Sequence, residues 1–261
     1  MMILDEIAVA TRRRVAQLRK RKSLNDVRAA AEALPQLNRG FKERLARPGM
    51  NFITEVKKAS PSKGLIAEEF DYLRIAREYE QAGAAAISCL TEPKFFLGRD
   101  EYLQEISQAV QIPVLRKDFT VSEYQIYEAK TIGADAVLLI CTLLETAELK
   151  EFLAVAASVG LDTLVEAHDE AEVEAALAAG AQIIGVNNRD LKDFSVDLQN
   201  SLRLRPLVPQ DKLFVSESGI KTAADITELK KCGVNGVLIG ETLMRSKNIT
   251  LELQQLAGDE R

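Results

Sequence analysis

Glu55 and Lys57 stand two residues apart in the stretch Asn51-Phe-Ile-Thr-Glu-Val-Lys-Lys-Ala-Ser-Pro-Ser-Lys-Gly64. Side chains two apart on a strand share a face. A carboxylate and an ammonium placed this way can move protons, or they can close an ordinary structural ion pair. The two residues alone leave both readings open. A Ser-Pro-Ser-Lys-Gly turn follows them, and then an amphipathic helical pattern over 70–82. Strand, polar turn and helix form one unit of an α/β fold, and the carboxyl end of the strand is where such folds carry their chemistry.

Other apolar runs also end in reactive or binding side chains. Leu90 is followed by Thr-Glu-Pro with Phe95-Phe96 just beyond, and Leu115 by Arg-Lys-Asp-Phe119. Leu164-Val leads to Glu166, Val186 to Asn-Asn-Arg-Asp190, Val215 to Ser-Glu-Ser-Gly-Ile220 and Ile239 to Gly-Glu-Thr242. The glycines of Ser218-Gly219 and Gly240 stand at strand-to-helix turns, where backbone N–H groups can close on an anion with help from the following helix. Tight turns of no further purpose would also use glycine. Glu241 adds a negative charge there, so an anion requires its side chain to point away and leave only its N–H.

To bring these ends together the chain needs a sheet that gathers strand termini. Short apolar strands are predicted at 85–90, 113–115, 136–140, 163–165, 183–186, 213–215 and 236–239. With the strand at Asn51 they number eight. Helical patterns follow at 102–110, 123–131, 147–159, 170–179, 201–207, 223–231 and 251–256, the fifth of these poorly patterned. Alternation of this kind argues for a parallel sheet covered by helices. Gly83, Gly133, Gly180 and Gly233 each end a helix before every second strand, roughly fifty residues apart. A unit of two strands and two helices repeated four times makes a (β/α)8 (TIM) barrel, typically of ~250 residues. A doubly wound open sheet is the rival, but it calls for a G-x-G-x-x-G turn after the first strand, and none is present.

The 261 residues suit one barrel domain, with residues 1–49 as an N-terminal helical extension. Leu4, Ile7, Thr11, Val15 and Leu18 recur at helical spacing over 3–22, and a second helix is expected over 24–33 before Pro35. The stripe calls for an apolar partner on the protein itself, so the basic cluster Arg12-Arg13-Arg14 reads as a solvated helix face. A net charge of −5 predicts no general attraction to nucleic acid or acidic membranes. Cys89, Cys141 and Cys232 lack paired spacing and read as thiols of a reducing cytoplasm. The one histidine, His168, cannot build a zinc site with scattered cysteines, so no metal is expected. Standing before Asp169-Glu170, His168 reads as a surface or helix-capping residue. Neither a signal peptide nor an apolar run long enough to span a bilayer is legible.

Taken together, Glu55-Val-Lys-Lys-Ala-Ser-Pro-Ser-Lys-Gly64, Leu115-Arg-Lys-Asp-Phe119, Leu164-Val-Glu166, Asn187-Asn-Arg-Asp-Leu191 and Ser216-Glu-Ser-Gly-Ile220 resemble the indole-3-glycerol phosphate synthase family. The likeness runs over 51–244, and the opening Ile-Leu-Asp-Glu-Ile resembles the family's N-terminal helix. The resemblance implies a cofactor-free ring closure in tryptophan biosynthesis. The substrate would be 1-(2-carboxyphenylamino)-1-deoxyribulose 5-phosphate, and the products indole-3-glycerol phosphate, carbon dioxide and water. By the same likeness Lys117 would be the acid that protonates the sugar carbonyl oxygen, and Lys57 the second ammonium, matching a family lysine assigned to dehydration or phosphate binding. Glu166 would be a base or an electrostatic partner, and Glu55 would hold the lysines. Asn187 and Arg189 would bind the anthranilate carboxylate and sugar hydroxyls. Phe96, Phe119, Leu138 and Leu191 would wall a slot for the aromatic ring, and Ser60 would sit on a lid. Glu217 and Ser218 would line the substrate site, while Gly219, Gly240, Glu241 and Lys57 would hold the phosphate. Which lysine is the acid at which step stays open.

The implied partner is a small phosphosugar, with no nucleic acid and no membrane, bound by a monomer or weak homodimer and with no fused second enzyme. Two rival functions remain. A phosphoribosylanthranilate isomerase-like barrel would use acid–base residues without decarboxylation, but leaves lysines on both the first and third strands unexplained. A non-catalytic phosphosugar-binding protein would have no need of Lys57, Lys117 and Glu166 together.

Overall fold

The computed structural model describes residues 3–36, 39–190, 193–246 and 248–258. Eight parallel strands close into a barrel: β1 (Asn51–Val56), β2 (Ala86–Leu90), β3 (Val114–Lys117), β4 (Ala136–Ile140), β5 (Asp162–Ala167), β6 (Ile183–Asn187), β7 (Leu213–Glu217) and β8 (Gly236–Ile239). Each strand pairs with its neighbours in sequence, and β8 returns to pair with β1, Thr54 opposite Ile239. The open doubly wound sheet is thereby excluded.

The period of two assigns every strand residue to one of two layers. Ile53, Leu115, Leu138, Leu164, Ile183, Val215 and Leu238 face inward and fill the barrel. The alternate residues, such as Phe52, Val114, Val137, Val165, Ile184, Phe214 and Val237, pack outward against the helices. Inward positions near the carboxyl ends are Glu55, Lys117, Glu166, Asn187 and Glu217. The observed strands β3, β5, β6 and β7 therefore run past the apolar stretches that predicted them, to Lys117, Ala167, Asn187 and Glu217. A charged residue ends an apolar run in the sequence, but at the barrel mouth it continues the inner face.

The outer ring comprises α4 (Tyr72–Gln81), α5 (Asp100–Ala109), α6 (Glu123–Thr131), α7 (Thr146–Ser158), α8 (Glu170–Ala179), α9 (Gln199–Leu204), α10 (Ala223–Lys231) and α12 (Ile249–Ala257). Side chains of Asp71, Ser122, Asp169 and Thr222 cap four of them by accepting a first-turn N–H. The four helix-ending glycines adopt φ between 79° and 97°, the left-handed region that favours glycine. Tyr79 on α4 is fully buried and donates its hydroxyl to the Glu55 carbonyl at 3.2 Å, tying the helix to the strand that bears Glu55.

Three features depart from the sequence reading. A hairpin of two-residue strands, Ala59–Ser60 and Gly64–Leu65, replaces the plain turn after β1. Two five-residue helices, α3 (Phe41–Leu45) and α11 (Glu241–Arg245), were not predicted, being too short to show a helical period. Helix α3 plugs the amino-terminal end of the barrel. Its Phe41 and Leu45 are fully buried in the inner cluster, and Asn51 donates to the Leu45 carbonyl at 3.1 Å. Just before it, Arg39 donates to both carboxylate oxygens of Asp135, from its backbone N–H at 2.8 Å and its Nε at 2.9 Å.

Helices α1 (Ile3–Arg21) and α2 (Leu24–Glu32) precede this plug. Leu4, Ile7, Thr11 and Val15 are buried as the stripe predicted, and Leu18 packs at its edge. Each fully buried Leu, Ile or Val contributes roughly 1.5–3 kcal/mol as an upper figure, enough for three of them to dock α1. The basic cluster divides: Arg12 and Arg13 are exposed, whereas Arg14 forms a 2.6 Å ion pair with the buried carboxylate of Asp118. No helix among the described residues is long and apolar enough to cross a membrane.

Candidate active site

A cavity of about 630 Å³ opens at the carboxyl ends of the strands. Every sequence-predicted site residue except Leu191 lines it, and Leu191 lies outside the described residues. On the floor, Lys117 Nζ donates to Glu166 Oε2 at 2.8 Å and to Glu217 Oε2 at 2.9 Å. Asn187 Nδ2 approaches the other oxygen of Glu166 at 3.3 Å, while Asn187 Oδ1 accepts the N–H of Arg189 at 3.0 Å. Lys57 is ion-paired to Glu55. The pair both closes an ion pair and lines the cavity.

The electrostatics separate the two carboxylates on Lys117. Burial pushes both toward the neutral form. In Glu166 the opposing attraction of Lys117, then His168, wins and holds the carboxyl well below the usual range. In Glu217 burial prevails over Lys117 and, with the nearby Glu166 charge, pushes the carboxyl up. Glu217 Oε1 has no hydrogen-bond partner among the described residues, as a carboxyl that tends to keep its proton allows. For Lys117 burial opposes the charge, but Glu166, Glu217 and Glu55 together raise its proton affinity, so it is an ammonium throughout the working pH range. Groups whose surroundings drive them apart in this way are a mark of acid–base sites.

Glycine makes room for two of these carboxylates. A Cβ at Gly185 on β6 would overlap Glu217 Oε1, and one at Gly240 would overlap Glu55 Oε2. Along one wall Phe96 and Phe119 meet with ring centroids 5.8 Å apart, and Leu138 adds an aliphatic face from β4. The loop bearing Phe96 is fixed by Glu92, whose carboxylate accepts the N–H groups of Lys94, Phe95 and Phe96 at 3.1, 2.6 and 3.0 Å. Sequence reading placed Glu92 near the mouth without a role. Its spacing before Lys-Phe-Phe is that of a carboxylate folding back on its own loop.

At the opposite wall Ser218 and Gly219 both take positive φ, 67° and 84°. Gly240 begins α11, whose first-turn N–H groups have no intrahelical acceptor. The Glu241 side chain is paired to cations at the cavity lining, with Lys63 Nζ and Arg245 Nε each 3.4 Å from its Oε1. Ser60, on the hairpin, is buried against the cavity.

Adjacent residues of one motif take different duties. Of Asn187-Asn188, only Asn187 faces the cavity. Asn188 is buried outward, donating to Ser216 Oγ and the Ser218 carbonyl at 3.0 Å each and accepting from Ser201 Oγ at 2.7 Å. Of Arg116-Lys117, Arg116 points outward to Asp100 and Glu128 at 2.7 and 2.8 Å. Asp118 holds Arg14 from α1, and Ile3, Leu4 and Ile7 reach the cavity rim. Sequence reading missed Asp118 and Arg14, because nothing local signals a pair 104 residues apart. His168 is a correction: Asp169, not His168, caps α8, and the His168 ring is largely buried between Glu166 and Glu172. Among the described residues no group of three or more His, Cys, Asp or Glu side chains is disposed to hold a metal ion.

Because α1 contributes to both the rim and Asp118, removal of residues 1–33 should raise KM and lower the melting temperature together. Steady-state kinetics and thermal denaturation check this, and a truncated chain unchanged in both would show α1 and α2 to be dispensable.

Comparison with known proteins agrees with this geometry. The family model described as indole-3-glycerol phosphate synthase matches residues 4–256. An indole-3-glycerol phosphate synthase of Ruminiclostridium cellulolyticum is 57% identical over 258 residues, covering 98% of this chain and 99% of that protein. The protein of the same name from Endomicrobium trichonymphae is 58% identical over 258 residues, with the same two coverages. Among solved structures, a 3-hexulose-6-phosphate synthase superposes with a TM-score of 0.65 at 15% identity, covering 80% of this chain and 99% of that one, a likeness of fold. The (β/α)8 barrel, the five motifs and the extent of these matches agree: this chain belongs to the indole-3-glycerol phosphate synthase family.

Proposed function

We propose that the chain is a carbon–carbon lyase that closes the indole ring of 1-(2-carboxyphenylamino)-1-deoxyribulose 5-phosphate. The observation that carries the reading is Lys117, an ammonium on the floor of a partly apolar cavity, held between Glu166 and Glu217. The aromatic carbon bearing the carboxylate attacks the C2′ carbonyl carbon. Lys117 gives its proton to the oxygen as the alkoxide forms. Its proton affinity is high for an amine, but an alkoxide is the stronger base, so the transfer remains downhill. Loss of carbon dioxide leaves its bonding electrons in the ring and restores aromaticity. Departure of the C2′ hydroxyl as water, with loss of a C1′ proton, completes the indole.

Glu166, held ionised, is the base for that later proton. Lys57, paired with Glu55 in the same cavity as the turns at Gly219 and Gly240, screens the phosphate or assists the leaving water. Phe96, Phe119 and Leu138 take the aromatic ring, while Asn187 and Arg189 take the carboxylate and hydroxyls. Docking of α1 to α3 on the barrel supports reading the chain as one domain. Free thiols at Cys89, Cys141 and Cys232 fit a reducing cytoplasm.

The test is to add this substrate and follow carbon dioxide together with indole fluorescence. Release of both supports the reading. Isomerisation without carbon dioxide would favour an isomerase, and binding without turnover a non-catalytic protein. The phosphate is expected on the backbone N–H groups of Gly219, Gly240 and Glu241 with Lys57 nearby. A crystal soaked in sulfate should show the anion there, and an anion held only at the opposite rim would remove these turns from the site.

A further inference from the structure

Glu166 must be ionised and held in one orientation until it takes the C1′ proton, and the cavity fixes only one of its oxygens strongly. Lys117 holds Oε2. Oε1 lies 3.5 Å from Nε2 of His168, behind the cavity wall, besides its 3.3 Å contact with Asn187. The histidine ring is itself clamped. Its Nδ1 is 3.0 Å from Glu172 Oε2, the same oxygen that accepts the His168 N–H at 2.8 Å. Thr142 donates to Glu172 Oε1 at 2.5 Å, and Asn200 donates to the His168 carbonyl at 3.0 Å. Nε2 is buried and makes no hydrogen bond among the described residues, and a carboxylate oxygen lies 3.5 Å from it. A ring with carboxylates before both nitrogens is best satisfied with both as donors, which is the imidazolium.

We propose that His168 is a positioning residue for the reaction, an imidazolium wedged between Glu172 and Glu166 that aims the second oxygen of Glu166 and sustains its negative charge beside Lys117. The inference rests on Glu166 acting as the base proposed above. The largest charge effects on the ring come from Glu166 on β5, then Glu172 on α8, then Glu217 on β7, all acidic. Burial disfavours the imidazolium, yet the hydrogen bond to Glu172 and the charges of Glu166 and Glu172 outweigh it and raise its proton affinity. The effect is reciprocal: the attraction of His168 is second only to that of Lys117 in keeping Glu166 ionised.

The chain has one histidine, so the untagged protein gives the signals of a single imidazole, which need no residue assignment. Its NMR titration is expected above the free value of about 6.5, and E172Q and E166Q should each lower it by about half a unit or more. In kinetics H168Q removes a cation beside Glu166, which raises the proton affinity of that carboxylate. The acid limb of the kcat/KM profile should therefore move to higher pH by about one unit, a tenfold loss on that limb, with a much smaller loss at alkaline pH. Should H168Q fail to fold, E172Q carries the kinetic test, with a shift in the same direction.

A histidine that titrates as a free imidazole, indifferent to both glutamine variants, overturns the proposal. So does an H168Q profile that superimposes on the wild type, or one lowered equally at every pH, which is a structural role. The NMR arm needs no turnover. Coupled titration in a chain that does not close the ring would overturn the function and leave the clamp standing, while uncoupled titration in an active enzyme would do the reverse.

Discussion

Lys117→Met is expected to lower kcat by ~10²–10⁴, the usual worth of a positioned acid. Methionine keeps the length and the apolar stem but has no proton to give and no charge to set against the forming alkoxide. KM should change far less, because the lost interaction matters most once charge has developed on the sugar oxygen. The chain contains no tryptophan, so indole fluorescence reports turnover against a tyrosine background. The same variant has a stability signature. Without the ammonium, Glu166 and Glu217 lose the attraction that opposed their burial, so their folded-state proton affinities rise above the unfolded values. A carboxyl raised on folding costs stability once the pH exceeds its unfolded pKa, near 4.3. The melting temperature of Lys117→Met should therefore fall further below wild type at pH 8 than at pH 5. Near-wild-type kcat in a folded Lys117→Met would make Lys57 the acid.

Glu166→Gln should also lose ~10²–10⁴ in kcat, but with little change in melting temperature. The reason lies in the second carboxylate. Glu166 is one of the charges that hold Glu217 toward its neutral form. Removing that charge lowers the proton affinity of Glu217, which then ionises and remains paired with Lys117 at Oε2. The buried ammonium thus keeps a partner, and the penalty of an orphaned charge is avoided. Asn187 can still bond to the amide. A folded Glu166→Gln that retains more than about a tenth of wild-type kcat, below the range expected of a general base, would reduce Glu166 to an electrostatic neighbour of Lys117.

The barrel was legible in the sequence because its signals are local. Apolar runs of strand length, amphipathic helices and a glycine closing every second helix are set within a few residues of one another, and α6, α8 and α10 fall at the predicted bounds. The set of polar side chains gathered at the barrel mouth was legible for a related reason. Glu55, Lys117, Glu166, Asn187 and Glu217 each follow an apolar run, and a parallel barrel brings all such ends to one mouth. What the sequence left open was the facing of neighbours and the partners across the fold. Lys117 is inward and Arg116 outward because register fixes the parity of β3, and only closure of the barrel fixes the register. The pairing of Glu166 with Lys117, the opposite shifts of Glu166 and Glu217, the reach of Arg14 to Asp118 and the burial of His168 all depend on approaches between distant segments in a medium where water no longer screens them. Burial and distance decide the sign of those interactions, and both quantities exist only once the chain has closed.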